Sequence, residues 1–421
     1  MNLRNSAKTL YENGFAHVFI GTFMNKAIAM ISSVIVARLI DKTEYAYLTY
    51  SETLYGYLSL FLGLGMSSAL LKVCSGKENT ALDKAYLIFA AKYGIAFEII
   101  VTTIFCSSIL FIVLPFEQAR YYIFITLLYP LFYYCYDLLV CFLRAKQLNK
   151  EYAWLSLLYS ALSCVLTIGL VYFINAQGVV FARYITLVIL IICLIIPISK
   201  KLKTIQKTSV ARDNLKMFIS MSLSLMLANA LSGMMPINEN LLVSNIIADE
   251  VSTSNFRVAS LFPQLIILIT QSVMIYYFPI VSEMDNKGQN PGKYVLKVAG
   301  FNFALVIGGI IVGILLTPWL IVTFYGQKYA DAIPIARMLW LVHGINAAFR
   351  IVPMNMLIAV RKYKFNLYMS IFSVLIQFTL DWLLITHFGM MGVMYGTGAV
   401  YIISSFLYWW YLRNSLANLY V

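Results

Sequence analysis

Twelve times along this chain an apolar run lasts long enough to cross a lipid bilayer, and no other feature limits the possible folds so tightly. The runs cover approximately 15–39, 46–71, 85–114, 121–143, 152–174, 179–198, 217–247, 256–281, 294–324, 332–360, 365–386 and 389–412. The hydrocarbon core is about 30 Å thick and takes about 20 helical residues to span. Within it every backbone N–H and C=O must be satisfied by the protein, which leaves helices or closed barrels. Barrels need short segments of alternating polarity, and these runs are long and continuous. The expected fold is therefore all-α and polytopic. Composition agrees, with 61% hydrophobic and 12% charged residues, where soluble proteins carry about 25% charged. A soluble enzyme is excluded, and no polar stretch approaches the roughly 50 residues of a small extramembrane domain.

The net charge of +13 sits in breaks between apolar runs, so it reports topology and not nucleic-acid binding. Lysines and arginines such as Arg4, Lys84, Lys146, Lys200, Lys297, Lys362 and Arg413 fall on the side of both termini three times as often as on the other. Basic residues are retained on the cytoplasmic side, which places both termini there. The first run, Phe15 to Ile40, is too long for a signal-peptide core and is expected to stay as the first helix. Cys74, Cys106, Cys135, Cys141, Cys164 and Cys193 lie in or at the end of apolar runs without close pairing, as packing residues do.

The longest polar connection, Ser199 to Lys216, divides the chain near its middle. This gives a six-helix lobe over 1–199, a basic cytoplasmic linker over 200–216 and a second six-helix lobe over 217–421. Similar stretches, Leu143 through Lys150 to Gly178 and Ile358 through Lys364 to Gly392, recur in the two halves. An even number of helices per lobe makes this repeat parallel. Pro236, Pro263 and Pro353 fall inside spans and imply kinks or local unwinding.

Ionisable side chains are costly at bilayer depth and mark bundle interiors or wet cavities. Lys26, Glu52, Lys92, Glu98, Asp137, Glu239, His343, Arg350 and Asp381 all fall within spans. Arg183 and Arg257 lie near span ends, where a long stem can also snorkel to the interface. His343, Asn346 and Arg350 share a helical face; so do Arg257, Ser260, Gln264 and Gln271, and so do Ser370, Ser373, Gln377 and Asp381. Such stripes suit a central cavity, or polar contacts between packed helices. Lys92 could equally pair with Glu52 or Glu239. Tyr122, Tyr129, Tyr133 and Tyr136 lie on roughly one face of the fourth span beside Asp137, in a pattern suited to stacking on sugar rings or to packing. Gly63, Gly65, Gly308, Gly309 and Gly313 read as sites of close helix packing. His17, His343 and His387 lie on separate spans, and no phosphate-binding glycine motif with a lysine appears, so neither an enzyme site nor a cofactor is expected.

Several segments resemble the polysaccharide-flippase branch of the multidrug/oligosaccharidyl-lipid/polysaccharide exporter superfamily, the Wzx-type O-antigen and exopolysaccharide flippases. They are Ala37-Arg38-Leu39-Ile40-Asp41 followed by Glu44-Tyr45, Leu64-Gly65-Met66-Ser67-Ser68-Ala69-Leu70, Phe142-Leu143-Arg144-Ala145, and Phe324-Tyr325-Gly326-Gln327-Lys328-Tyr329-Ala330-Asp331-Ala332. The resemblance implies two six-helix lobes around a central cavity. It also implies translocation of an undecaprenyl-diphosphate-linked oligosaccharide across the bacterial cytoplasmic membrane by alternating access, with membrane lipids, a polysaccharide polymerase and chain-length machinery as companions. A diphosphate needs cationic partners, for which the candidates are Lys26, Lys92, Arg350 and Arg257, with Tyr133 for the sugar. Glu52, Asp137, Glu239 and Asp381 are the candidate proton or sodium coupling sites, because a buried carboxylate can take up and release a cation. The rival readings are a cation-coupled multidrug exporter on the same scaffold, which would want an acidic or aromatic cavity, and a membrane-embedded polymerase, which would want a long outer loop.

Overall fold

The computed structural model describes residues 15–75, 81–146, 148–203, 205 and 208–419. All the regular structure among them is helical. Eleven helical rods of the described residues are long and apolar enough to cross a membrane, from Lys42–Val73 to Met390–Ala417. A further helix, α1 (Phe15–Leu39), occupies the place of the first predicted span.

Two compact units divide the chain, 1–230 and 231–421. The first holds α1, α2 (Lys42–Ser59), a turn at Leu62–Gly65, α3 (Met66–Val73), α4 (Ala81–Phe111), α5 (Ala119–Thr126), α6 (Tyr129–Ala145), α7 (Asn149–Ile174), α8 (Gln177–Lys203) and the start of α9 (Arg212–Leu242). The second holds the end of α9, a π-turn at Val243–Ile247, α10 (Glu250–Leu261), α11 (Ile266–Asn286), α12 (Gly292–Tyr325), α13 (Ala332–Ile345), a π-turn at Asn346–Arg350, α14 (Ile351–Ala359), α15 (Tyr363–Phe388) and α16 (Met390–Leu419). Several predicted spans are thus two helices joined by a short irregular segment.

Each helix boundary has a local cause. Asp41, the last residue of the Ala-Arg-Leu-Ile-Asp segment, is the N-cap of α2 and accepts from the hydroxyl of Thr43 at 2.6 Å. Asp249 caps α10 by accepting the Ser252 N–H at 2.7 Å. Arg120 closes the end of α4 by donating to the carbonyls of Ile109 and Ile112. The break between α5 and α6 is stitched by Tyr184 of α8, whose hydroxyl donates to the Ile125 carbonyl at 3.0 Å and accepts the Leu128 N–H at 3.1 Å. Backbone freed inside a membrane thereby keeps its partners. Pro263 opens a short 3-10 turn before α11, whereas Pro236 is accommodated within α9.

The first unit packs on Leu70, Ala90, Tyr134, Leu187, Leu190 and Phe218. The second packs on Val281, Val298, Val352, Met356, Leu357 and Leu412. Phe218, from the start of α9, sits against Tyr86 and Phe89 of α4, with ring centroids 5.2 and 6.0 Å away. The expected linker at 200–216 is a change in composition, whereas packing divides the chain at 230. The polar connection is also shorter than its composition implies, because α8 runs on to Lys203 and Lys84 donates to the carbonyls of Leu202 and Ile205 at 2.8 and 2.7 Å.

A buried ion pair ties the start of α4 to the loop after α6. Lys146 Nζ lies 2.7 Å from Asp83 Oδ2, with side chains 5% and 9% exposed. Removing one member strands the other charge, which costs about 3–5 kcal/mol, whereas an apolar pair of similar volume can be neutral. Asp83→Ala should therefore lower the thermal unfolding midpoint of the detergent-solubilised protein sharply. The double variant Asp83→Leu/Lys146→Met should recover most of the loss.

Candidate functional site

In the second unit, the stripe expected on α15 becomes the floor of a buried polar network. Ser373, Gln377 and Asp381 project from successive turns and are fully enclosed. Glu239 from α9 and Thr397 from α16 meet them. The Thr397 hydroxyl lies 3.1 Å from Glu239 Oε1 and 3.3 Å from Asp381 Oδ2. The Gln377 amide nitrogen lies 3.0 Å from Thr397 Oγ1, 3.3 Å from Glu239 Oε1 and 3.2 Å from the Met235 carbonyl. Gly396 makes room for Asp381, since a Cβ there would meet Asp381 Oδ1. Two carboxyl groups thus share one hydroxyl hydrogen. Among the described residues neither is in an ion pair with a basic side chain, and Asp381 Oδ1 accepts no hydrogen bond.

Beyond this cluster, Tyr401 of α16 lies within electrostatic reach of Glu239, Asp381 and Arg350. Arg350 is only 9% exposed. Its guanidinium lies over the rings of Tyr401 and Tyr408 at 5.5 and 5.9 Å and reaches Ser373 Oγ at 3.5 Å, while its Nε has no hydrogen-bond partner among the described residues. The π-turn at Asn346–Arg350 carries it. Such turns insert a residue into a helix and reset which side chains point inward. On the same stripe His343 is buried, and neither ring nitrogen has a hydrogen-bond partner among the described residues. Arg257, on α10, is half-buried.

The first unit contains the other candidates. Tyr129, Tyr133 and Tyr136 of α6 form a ladder with Tyr159 of α7. Tyr129 stacks on Tyr133 at 5.7 Å and Tyr136 on Tyr159 at 5.2 Å. Tyr122 stands apart, near Tyr47, because the break before Tyr129 turns it away from the ladder. At one end of the ladder Arg183 lies over Tyr129 and pairs with Glu52 at 2.5 Å. Arg183 therefore turns inward instead of snorkelling, and Glu52 takes this partner in place of Lys92. Asp137 is half-buried and accepts from the Cys141 thiol at 3.8 Å. Lys92 is exposed on α4 beside the Tyr93 ring. The Lys26 side chain lies outside the described residues, although Asn25 next to it donates to Ser156 of α7.

Sequence reasoning missed Thr397 and Tyr401. The signal for Thr397 was the Gly396-Thr397-Gly398 run, a polar residue between two glycines in an apolar helix.

A family model described as "Polysaccharide biosynthesis protein" matches residues 35–334, well over half the chain. The chain belongs to this family. No curated protein sequence matches it. Among solved structures, an inward-facing multidrug resistance MATE family transporter of the MOP superfamily is similar over 94% of this chain and 95% of its own, with a TM-score of 0.72 and 15% identity. An outward-facing MATE transporter of the same superfamily covers 96% of both chains at a TM-score of 0.64 and 14% identity. A MOP superfamily transporter from Pyrococcus furiosus, reported with a binding pocket of reverse polarity, covers 96% of both chains at a TM-score of 0.65 and 14% identity. These likenesses establish the fold, that of the MATE transporters. As a polysaccharide biosynthesis family member on that scaffold, the protein is multi-pass and membrane-embedded, which agrees with the resemblance drawn from its sequence segments.

Proposed function

We propose that the protein is a flippase, not an enzyme, that moves an undecaprenyl-diphosphate-linked oligosaccharide from the cytoplasmic to the opposite leaflet of the bacterial cytoplasmic membrane. The observation that carries this reading is membership of a polysaccharide biosynthesis family by a chain with a transporter fold. Both termini lie on the cytoplasmic side in this reading, as the basic bias requires. Lys26 and Lys92 are assigned to the diphosphate, with Arg257 and Arg350 as further cationic groups, and Tyr133 to the sugar. Lys92 has an exposed ammonium to offer, and charge-assisted contacts to phosphate are the strong ones.

The second unit supplies the coupling. Glu239 and Asp381 bring two potential negative charges to one hydroxyl, with no basic partner among the described residues, so the pair needs a bound cation to stay buried. That cation is H⁺ or Na⁺ in this reading, held by carboxylate oxygens and Thr397 Oγ1. Glu52 and Asp137 remain candidates of lower rank, Glu52 because Arg183 already balances it.

A multidrug exporter is the second reading, favoured by the description of the inward-facing structural neighbour. Reconstituted vesicles separate the two. The flippase reading expects the protein to expose a fluorescent undecaprenyl-diphosphate oligosaccharide to an external glycosidase while leaving cationic dyes where they are. Dye transport without lipid exposure would replace it.

A further inference from the structure

A buried carboxyl outside the network of the second unit stands at a break in a helix. Glu98 of α4 is 2% exposed, and its Oε1 accepts the backbone N–H of Gly63 at 2.6 Å. In an unbroken helix that N–H would serve the carbonyl of Ser59, four residues back. Here the backbone leaves the helix at Phe61 (φ −102°, ψ 9°), which turns that N–H away from Ser59, and Gly63, Leu64 and Gly65 then take φ values of 52°, 54° and 70°. Left-handed backbone is open to glycine but resisted by the leucine side chain between them. The two glycines therefore serve a turn and not only close packing. They also belong to the Leu64 to Leu70 segment and its approach, whose purpose the sequence left open.

The turn is held from three sides. Glu98 takes the Gly63 N–H, and the Ser222 hydroxyl donates to the Leu64 carbonyl. The Tyr134 ring occupies the space that a Cβ on Gly63 or Gly94 would need, its hydroxyl anchored on the Ala90 carbonyl at 2.7 Å. The titratable groups facing Glu98 are Tyr134 and Cys135 of α6. The turn presents none, Lys72 of α3 is exposed at that helix's far end, and Lys92 on α4 itself is exposed. Among the described residues no ion pair includes Glu98.

We propose that Glu98 is a proton-binding site whose occupancy decides whether the chain at 62–65 is turned or helical. An ionised carboxylate accepts an N–H about twice as strongly as a neutral group, so the turn and the ionised form support each other. When a proton from water adds to a carboxylate oxygen, the charge in the apolar interior is removed and the Gly63 N–H is held less firmly. The helical bond to Ser59 then competes for it, and α2 and α3 move toward one straight rod. The site shares no residue with the Glu239–Asp381 pair, and its test needs no substrate.

The experiment uses the full chain in lipid nanodiscs, with the six cysteines replaced and spin labels at Ser59 and Lys72, both exposed and flanking the break. Inter-label distance and the infrared band of protonated carboxyl are followed together through a pH titration. The expected result is a distance change and a carboxyl band with one shared midpoint. Both should be lost in Glu98→Gln, which keeps an acceptor but never ionises and holds one distance at every pH. Leu64→Gly relieves the left-handed residue, favours the turn and hence the ionised form, and should move the midpoint to lower pH, by at most about one unit per tenfold change in the turn equilibrium. A distance that ignores pH in the parent protein, or a transition that survives Glu98→Gln, overturns the proposal. Should Glu98→Gln fail to assemble, an unmoved midpoint in Leu64→Gly overturns it as well.

Discussion

Glu239→Gln and Asp381→Asn should each reduce cation-driven translocation about a hundredfold while leaving the protein folded. Glu239 and Asp381 are enclosed by α9, α15 and α16; among the described residues the Thr397 hydroxyl bridges them and the Gln377 amide donates to Glu239. A cation held there owes most of its binding to the two carboxylates, and a buried charge that loses its counter-charge is penalised by about 3 kcal/mol on insertion scales, about a hundredfold in affinity. The amide variants preserve shape and hydrogen bonding, so their folding should be close to that of the parent. Thr397→Val, isosteric but lacking the hydroxyl, removes one oxygen donor worth about 1 kcal/mol and should cost only about fivefold. Equal losses in all three variants would mean that the cluster is structural packing and not a cation site. The check is initial rate against imposed ion gradient in proteoliposomes, with thermal unfolding midpoints measured on the same preparations.

Arg350→Ala should be the next most damaging substitution, with export falling by about thirtyfold at unchanged abundance. The guanidinium is nine-tenths buried over Tyr401 and Tyr408 and reaches Ser373. Desolvated cation–π contacts contribute about 2 kcal/mol, and the charge shares Tyr401 as an electrostatic neighbour with Glu239 and Asp381. Arg350→Lys keeps the charge but loses the planar fork and the ring stacking, so part of the activity should remain. Arg350→Met fills most of the volume without charge and separates packing from electrostatics. If Arg350→Met exports as well as Arg350→Lys, the residue fills space and its charge is dispensable. The measurement is glycan delivered to the cell surface per molecule of transporter, quantified in membranes by immunoblot.

The stripe on α15 shows how much of the site the sequence could reveal. Ser373, Gln377 and Asp381 repeat at helical spacing in hydrocarbon, and that periodicity alone placed them on one inward face. Which carboxylate they would meet depends on where α9 passes, and helix-to-helix placement leaves no periodic mark, so Glu239 could be named but not joined to Asp381. Thr397 escaped notice because a lone threonine in a membrane helix usually returns its hydrogen bond to its own backbone. Arg183 illustrates the opposite error. Its position near a span end suggested snorkelling, whereas Glu52, distant in sequence, draws it inward.

The spans themselves were legible, because apolar length is a local property, but their interruptions were not. The break at 62–65 rests on a glycine pair that also fits close packing, and the Glu98 carboxyl, the Ser222 hydroxyl and the Tyr134 ring, all remote in sequence, decide between them. Likewise the interruption before Tyr129 depends on Tyr184 of α8 to satisfy the freed backbone. Polar composition sets the expected linker at 200–216, and the compact units are 1–230 and 231–421, with Phe218 burying the start of α9 against α4. Local composition reports where water is, and packing depends on side chains that meet after the chain has folded.

The flippase reading stands or falls on a single measurement. The purified protein is reconstituted with undecaprenyl-diphosphate oligosaccharide confined to the inner leaflet of vesicles, and the appearance of the sugar on the outer leaflet is timed with and without an imposed H⁺ or Na⁺ gradient. The expected result is protein-dependent exposure that accelerates with one of the two gradients, collapses when that gradient is dissipated, and becomes gradient-independent and slow in Glu239→Gln. Exposure no faster than in protein-free vesicles, under either gradient and with protein shown to be folded, would contradict the assignment.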